Sequence, residues 1–257
     1  MAWLACAVST VALAQTPVDL ELVLAVDVSL SMDVDEQRLQ RDGYVSALRD
    51  PDVQKAIASG PHGRIAVTYV EWAGPLTQHV VIPWLVIDSA ASANAVADRL
   101  EATPITRARM TSISGALQFA RGLFDSSGVR GIRRAIDVSG DGPNNAGGPV
   151  KAIRDQVVAE GIVINGLPLV LKAPTSFFDH PHLDRYYAEC VIGGTGAFMI
   201  PVRDRAEFRT ATRRKLLLEI SGLPLTPHVV PVQNTTPDES EDCMAGERMW
   251  RRYFETP

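Results

Sequence analysis

Apolar runs of strand length alternate along the chain with segments whose apolar residues recur at helical intervals. Such runs are typical of strands buried within a mostly parallel sheet. The pattern predicts strands at residues 20–26, 64–72, 77–87, 133–139, 161–167 and 197–202. It predicts helices at residues 34–57, 88–102, 111–120, 149–160 and 204–220. The expected fold is therefore α/β: a three-layer, doubly wound, Rossmann-like domain.

One pair of predicted strands breaks the parallel pattern. Residues 64–72 and 77–87 are joined only by the short turn Ala73-Gly74-Pro75, which predicts a hairpin. We therefore expect a mostly parallel central sheet with one antiparallel edge strand.

The two ends of the chain differ in composition from residues 18–220, which we interpret as the domain. Residues 1–14 contain an apolar stretch that is too short for a bilayer and closes on an A-x-A cleavage pattern. We interpret them as a signal peptide whose basic n-region is missing, so that the printed start can lie downstream of the natural one. An N-terminal core helix is the alternative. Residues 221–257 are rich in proline and acids and predict an extended C-terminal tail.

Composition limits the classes of function. With 257 residues, 46% of them hydrophobic, the chain can bury one substantial core. Its formal net charge of −5 offers no electrostatic footprint for nucleic acid or for an anionic membrane surface. We predict neither a nucleic-acid partner nor a transmembrane segment.

Whether the cysteines form a disulfide depends on where the protein is located. Cleavage of the signal peptide would remove Cys6 and leave Cys190 and Cys243, an even pair. If the protein is exported, to the periplasm or beyond the cell, we expect these two to form a disulfide that pins the tail to the domain. Two buried free thiols are the alternative, and a cytosolic location would favour it.

Candidate ligands for a metal occur in three separate segments. Asp27, Ser29 and Ser31 follow the first strand, Thr111 opens a helix, and Asp141 follows the fourth strand. All five carry hard oxygen donors, which suit Mg²⁺, Mn²⁺ or Ca²⁺. Proteins with a parallel sheet of this kind bind ions and small molecules at the carboxyl ends of the strands. The three segments can therefore converge in one crevice at that edge.

With these motifs the sequence resembles the von Willebrand factor A (VWA) domains over residues 18–220, and in particular an exported bacterial branch of them. The family's metal-ion-dependent adhesion site combines D-x-S-x-S, a separate threonine and a later aspartate. The resemblance implies that Ser29 and Ser31 bind the ion directly. Thr111 and the two aspartates would bind directly or through water. Gly140 departs from the pattern, since many relatives carry threonine there.

The function expected from this resemblance is a non-enzymatic, metal-dependent protein-binding module. An ion with few carboxylate ligands keeps an open position, which can accept an Asp or Glu of a partner protein; Mg²⁺ is the preferred ion, with Mn²⁺ and Ca²⁺ as alternatives. The rim that would contact this partner is predicted to include Met32, Asp33, Arg107, Arg109, Asn144 and Asn145.

Three other interpretations are weaker. A metal-dependent hydrolase could use the same site, but the motifs bring no His, Lys or Cys as a general base, and only Glu71 is an unplaced acid. A haloacid-dehalogenase phosphatase needs a second acid where Ser29 stands. His180 and His182 could suggest zinc, yet the proline between them favours a surface loop.

Overall fold

The computed structural model describes residues 15–171, 180–222 and 241–255, with side chains to residue 252. The predicted signal peptide and most of the predicted tail lie outside the described residues. The described chain forms one five-stranded sheet in the order β3-β2-β1-β4-β5. Its strands are β1 Thr16–Asp27, β2 Ile65–Trp72, β3 Gln78–Ile87, β4 Val129–Gly140 and β5 Ile162–Pro168. Its helices are α1 Val34–Leu48, α2 Pro51–Ala58, α3 Ala90–Glu101, α4 Ile113–Leu123, α5 Val150–Ala159, α6 Leu183–Tyr186, α7 Phe208–Ser221 and α8 Ala245–Glu255.

Strand pairing confirms the predicted fold class. β1 lies at the centre, parallel to β2 and to β4, and β4 pairs with β5 in parallel. β3 pairs antiparallel with β2 at the edge of the sheet. The predicted hairpin is therefore the one antiparallel element in an otherwise parallel sheet.

The central strand is buried on both faces. Leu22 and Leu24 belong to a core that includes residues of α1, α3 and α7, whereas Val23 and Ala25 belong to a core that includes residues of α4 and α5. Successive side chains of a strand point to opposite faces, so a strand covered on both sides needs apolar residues at every position. This two-sided burial explains the continuous apolar run in the sequence.

Two secondary-structure predictions were wrong. The single helix predicted at residues 34–57 is two helices, because Asp50 caps a new one by accepting from the N–H groups of Asp52 and Val53, with Pro51 at its first position. The strand predicted at residues 197–202 is reduced to isolated bridges. Pro201 lacks an N–H for a ladder, which accounts for part of this loss.

The end of the chain also differs from the prediction of an extended tail. Residues 245–255 form α8, and the disulfide between Cys190 and Cys243 ties this helix to the turn that follows α6. Glu247 of α8 accepts a hydrogen bond from Asn144. Local composition did not indicate this docking, because the partners Cys190 and Asn144 lie far away in the sequence.

A buried cluster of charged residues joins α7 to the sheet. The Lys215 Nζ lies 2.6 Å from Asp137 Oδ1 and 2.6 Å from Glu219 Oε1. Tyr44 donates to Asp137, and Asn165 donates to Glu219. Burial, followed by the charge of Asp137, raises the pKa of Glu219 to about 7.

This raised pKa predicts a pH dependence of stability. Because the folded-state pKa of Glu219 exceeds its unfolded value near 4.5, the native protein binds more protons between pH 4.5 and 7. The free energy of unfolding should therefore fall as the pH rises through that interval, by about 1–3 kcal/mol through this group. Urea unfolding of Glu219→Gln should show a flatter pH profile. Glu207→Gln, an exposed carboxyl before α7, should keep the wild-type slope; equal slopes in all three proteins would contradict the assignment.

The disulfide gives a second prediction about stability. Cys190 and Cys243 are separated by 53 residues, and the chain-entropy model assigns about 4 kcal/mol to a crosslink over such a loop. Thermal unfolding of Cys190→Ala/Cys243→Ala should therefore occur well below that of the oxidised protein. Reductant should lower the wild-type Tm toward the variant and leave the variant unchanged. A fully reduced wild type that keeps its Tm would refute this role.

Candidate metal centre

The loop after β1 carries the first three candidate ligands. The Ser29 N–H donates to Asp27 Oδ1 at 2.7 Å, which fixes the turn directly after the strand. The hydroxyl oxygens of Ser29 and Ser31 lie 2.7 Å apart, and the Ser31 hydroxyl donates to Asp141 Oδ1 at 2.5 Å. Oxygen atoms from the ends of β1 and β4 therefore meet in one continuous chain of hydrogen bonds.

Thr111 is brought to the same edge by backbone contacts. The N–H of Ala108 donates to Val28, and that of Ser112 donates to Ala73, so this segment crosses the ends of β1 and β2. Asn145 then joins it to the loop after β4, because the Thr111 N–H donates to Asn145 Oδ1 and the Asn145 N–H donates back to the Thr111 carbonyl. The three segments that the sequence singled out thus lie together.

The electrostatics of the site suit a cation. Asp27 is completely buried, and burial together with the charge of Asp141 raises the pKa of Asp27 well above its ordinary value. Asp27 Oδ2 has no hydrogen-bond partner among the described residues. A divalent ion would neutralise two neighbouring carboxylates and supply the missing partner.

The donor set also limits the kind of ion. Within the described ranges, no group of three or more His, Cys, Asp or Glu side chains is placed to hold a metal. The candidate set is instead the two carboxylates and the hydroxyls of Ser29, Ser31 and Thr111, which are hard oxygen donors. These residues fit an ion of the Mg²⁺, Mn²⁺ or Ca²⁺ type.

Gly140, the departure from the VWA pattern, has a steric explanation. A Cβ at this position would lie 2.8 Å from Asp27 Oδ2 and 3.1 Å from the hydroxyl of Tyr187. Tyr187 is completely buried, and its pKa is raised by burial and then by the charges of Asp27 and Asp141. Its ring reaches the site from the turn after α6. No signal in the sequence indicated Tyr187, because nothing local connects it to β1.

Glu71, the acid left unplaced by the sequence, belongs to the support of the site. Its side chain is only 2% exposed, forms an ion pair with Arg41 and accepts a hydrogen bond from Thr106. Arg41 also donates to the carbonyl of Thr103. This network fixes the beginning of the segment that carries Thr111.

The predicted rim needs correction at two buried positions. Met32 is completely buried and packs in a core with Leu167 and Phe208. Asn144 is also completely buried; its Oδ1 accepts from the Ser114 N–H. Neither side chain is accessible to a partner, because both fill space between elements beneath the loops.

The other rim residues divide between support and exposure. Asp33 caps α1 by accepting from the Glu36 N–H. Arg107 donates to the carbonyls of Leu30 and Met32. Both residues therefore hold the loop between β1 and α1, which carries the candidate ligands. Arg109 is exposed, whereas Asn145 is partly exposed and bonded to Thr111.

His180 and His182 belong to no metal-binding cluster within the part of the chain that the structure describes. His180 Nε2 lies 3.1 Å from Glu241 Oε1, and His180 Nδ1 accepts from the N–H of His182. The side chain of His180 is only 6% exposed, so the prediction of a surface loop holds for exposed His182 and fails for His180. Contacts with the segment before α8 cover it.

The architecture is that of VWA domains. A von Willebrand factor type A structure from Catenulispora acidiphila matches with a TM-score of 0.52 at 15% identity, covering 79% of this chain and 43% of that chain. Proximal thread matrix protein 1 from the mussel byssus gives 0.58 at 15%, covering 80% and 49%. The pilus adhesin SpaC from Lactobacillus rhamnosus GG gives 0.59 at 12%, covering 81% and 32%. This chain spans about half the length of these structures or less, and the likeness establishes a shared fold.

The family of the protein follows from a match of its sequence to a family model. No curated protein matches the chain. Residues 17–224 match the family described as protein of unknown function (DUF1194). Since the match spans most of the chain, the protein belongs to this family and has a VWA-type fold.

The contact between Gly140 and Tyr187 makes a testable prediction. Gly140→Ala should lower the free energy of unfolding by about 1–3 kcal/mol, because the new methyl group would overlap Asp27 and Tyr187. Gly148→Ala is the matched control, since a Cβ there meets nothing within 4 Å. It should change stability by less than about 0.5 kcal/mol. Equal urea midpoints for the two variants would contradict the close packing.

Proposed function

We propose that this protein is an exported, non-enzymatic interaction module that binds a divalent ion and, through it, a carboxylate of a partner protein. Asp27, Ser29, Ser31, Thr111 and Asp141 would hold the ion. The observation that carries the proposal is the chain of hydrogen bonds through Ser29, Ser31 and Asp141 beside the buried carboxylate of Asp27, whose Oδ2 has no hydrogen-bond partner among the described residues.

The charge balance supports a partner with an acidic residue. The donor set has only two anionic members, Asp27 and Asp141, so a bound divalent ion would not be over-neutralised. It would supply Lewis acidity toward an incoming Asp or Glu side chain. Mg²⁺ is the preferred ion, with Mn²⁺ and Ca²⁺ as alternatives. A structure of the mussel matrix protein carries zinc in its MIDAS motif, so Zn²⁺ belongs in the test as well.

Glu71 argues against the hydrolase alternative. A hydrolase at this site would need a general base, and Glu71 was the candidate. Its carboxylate is buried and engaged by Arg41 and Thr106. Both of its oxygens are thus engaged by other side chains within the fold, and neither is turned toward a substrate at the site, which favours binding over catalysis.

Export is supported by the disulfide, which persists in oxidising compartments. Among the described residues, no helix has both the length and the apolar character needed to cross a bilayer. We further propose that residues 1–14 are a signal peptide, that residues 18–220 are the domain, and that residues 221–257 are a C-terminal extension held by the disulfide.

Metal binding should raise thermal stability, because the site exists only in the folded state. At an ion concentration of 100 times Kd, the gain is about 2.7 kcal/mol, which corresponds to about 5–10 °C in Tm. Mg²⁺, Mn²⁺, Ca²⁺ and Zn²⁺ should each be compared with EDTA by thermal unfolding. Ser29→Ala and Asp141→Asn should abolish the shift.

The matched control is Ser126→Ala, which removes an exposed hydroxyl that donates to the Leu123 carbonyl, away from the candidate ligands. This variant should respond to metal as the wild type does. A wild-type Tm that no divalent ion changes would refute the proposed function.

A further inference from the structure

Exposed apolar side chains concentrate at the edge of the sheet that carries the candidate metal ligands. Among the described residues, four large apolar side chains are exposed: Leu30 at 47%, Leu76 at 97%, Met110 at 41% and Ile132 at 59%. The first three lie on loops at the carboxyl ends of β1 and β2. Single exposed apolar residues are ordinary on a protein surface, whereas several on adjoining loops are typical of interaction sites.

The three residues lie on segments that touch one another. Leu30 stands between Ser29 and Ser31, and Ser29 forms a bridge with Ala108, two residues before Met110. A Cβ on Gly74 would lie 3.6 Å from the Met110 Cβ. Leu76 is in the same turn as Gly74, which is closed by the Thr77 N–H. Leu30, Met110 and Leu76 therefore lie on adjoining loops at one edge of the sheet, and their exposed side chains are here called the apolar strip.

The loops that carry the apolar strip are held by specific contacts. Arg107 donates to the carbonyl of Leu30 at 3.1 Å, and the N–H of Ser112 donates to Ala73 at 2.7 Å. Met110 is the one non-glycine residue among those described with a positive φ, 71°. Such strain persists only where the surrounding structure fixes it. The side chain is thus presented to solvent by a fixed backbone.

We infer that the apolar strip is the specificity surface of the metal centre, and that its occupant is a partner segment in which an acidic residue has leucine-like neighbours. This inference rests on the proposed function. Leu30 is adjacent in sequence to the candidate ligands Ser29 and Ser31, and Met110 is adjacent to Thr111. An extended partner chain spans about 3.3 Å per residue. Apolar side chains within about two residues of the partner carboxylate would therefore reach the apolar strip. Exposed Arg109 adds positive charge beside Met110, which again favours an acidic segment.

The chain offers matched variants for the test. Leu76→Ser removes the most exposed side chain of the strip, and Met110→Asn removes another with a residue that tolerates positive φ. Ile132→Ser is the control. It removes an equally large exposed side chain from β4, roughly 26 Å before the carboxyl end of that strand at about 3.3 Å per residue.

A random peptide library displayed on phage serves as the probe. The full protein is immobilised with Mn²⁺ or Mg²⁺, and bound phage are eluted with EDTA. The wild type and Ile132→Ser should enrich Asp or Glu flanked within two residues by Leu, Ile, Met or Phe. The selected peptide should bind the Leu76→Ser/Met110→Asn variant about tenfold more weakly, a loss typical for truncation of apolar anchors.

Parallel thermal unfolding separates the two proposals. If metal raises the Tm of wild type and double variant equally, the proposed metal site stands, and the peptides then decide the inference. Acidic peptides without apolar neighbours, no EDTA-eluted peptides, or equal binding by the double variant would each overturn it. Apolar peptides that resist EDTA, or metal-dependent self-association in sedimentation experiments, would also overturn it. A wild-type Tm that does not rise when a divalent ion is added would refute the proposed function itself.

Discussion

The complete burial of Asp27 at the end of the central strand is the constraint on which the site depends. β1 is covered on both faces, so its last carboxylate has left water without gaining a full set of partners, and Asp141 stands close by. Such a position is costly unless a proton or a cation compensates it. The surrounding loops supply neutral hydroxyls from Ser29 and Ser31, which can ligate an ion while adding no charge.

Each loop at the site is fixed by residues that lie outside the set of candidate ligands. Glu71 and Arg41 hold the segment before Thr111, and Asn145 joins Thr111 to the loop after β4. Beneath these loops, Tyr187 occupies the space that Gly140 leaves open. Support of this kind matters because an open coordination site needs ligands whose positions do not depend on the ion alone.

Several site residues were predictable, and several were not. Polar donors after β1 and β4 could be recognised because a strand boundary is a local property of the sequence. Met32 and Asn144 were assigned to the rim because they follow those strands, yet both are buried under residues from other elements. The burial of Lys215 was also not predictable from the sequence. It lies in α7 among basic residues with more exposed side chains, and only the fold places it against Asp137.

The sequence by itself determined the class of fold, the antiparallel edge strand and the three segments that carry oxygen donors, because apolar periodicity and strand ends are encoded over short stretches. It also indicated the pairing of Cys190 and Cys243, the two cysteines that lie outside the predicted signal peptide. Only the tertiary structure decided that Tyr187 reaches Gly140 and that Glu71 pairs with Arg41. It also decided that Leu76 is exposed beside the loops that carry the candidate metal ligands. These contacts join residues far apart in the chain, and burial at such junctions depends on packing between elements, which local pattern does not encode.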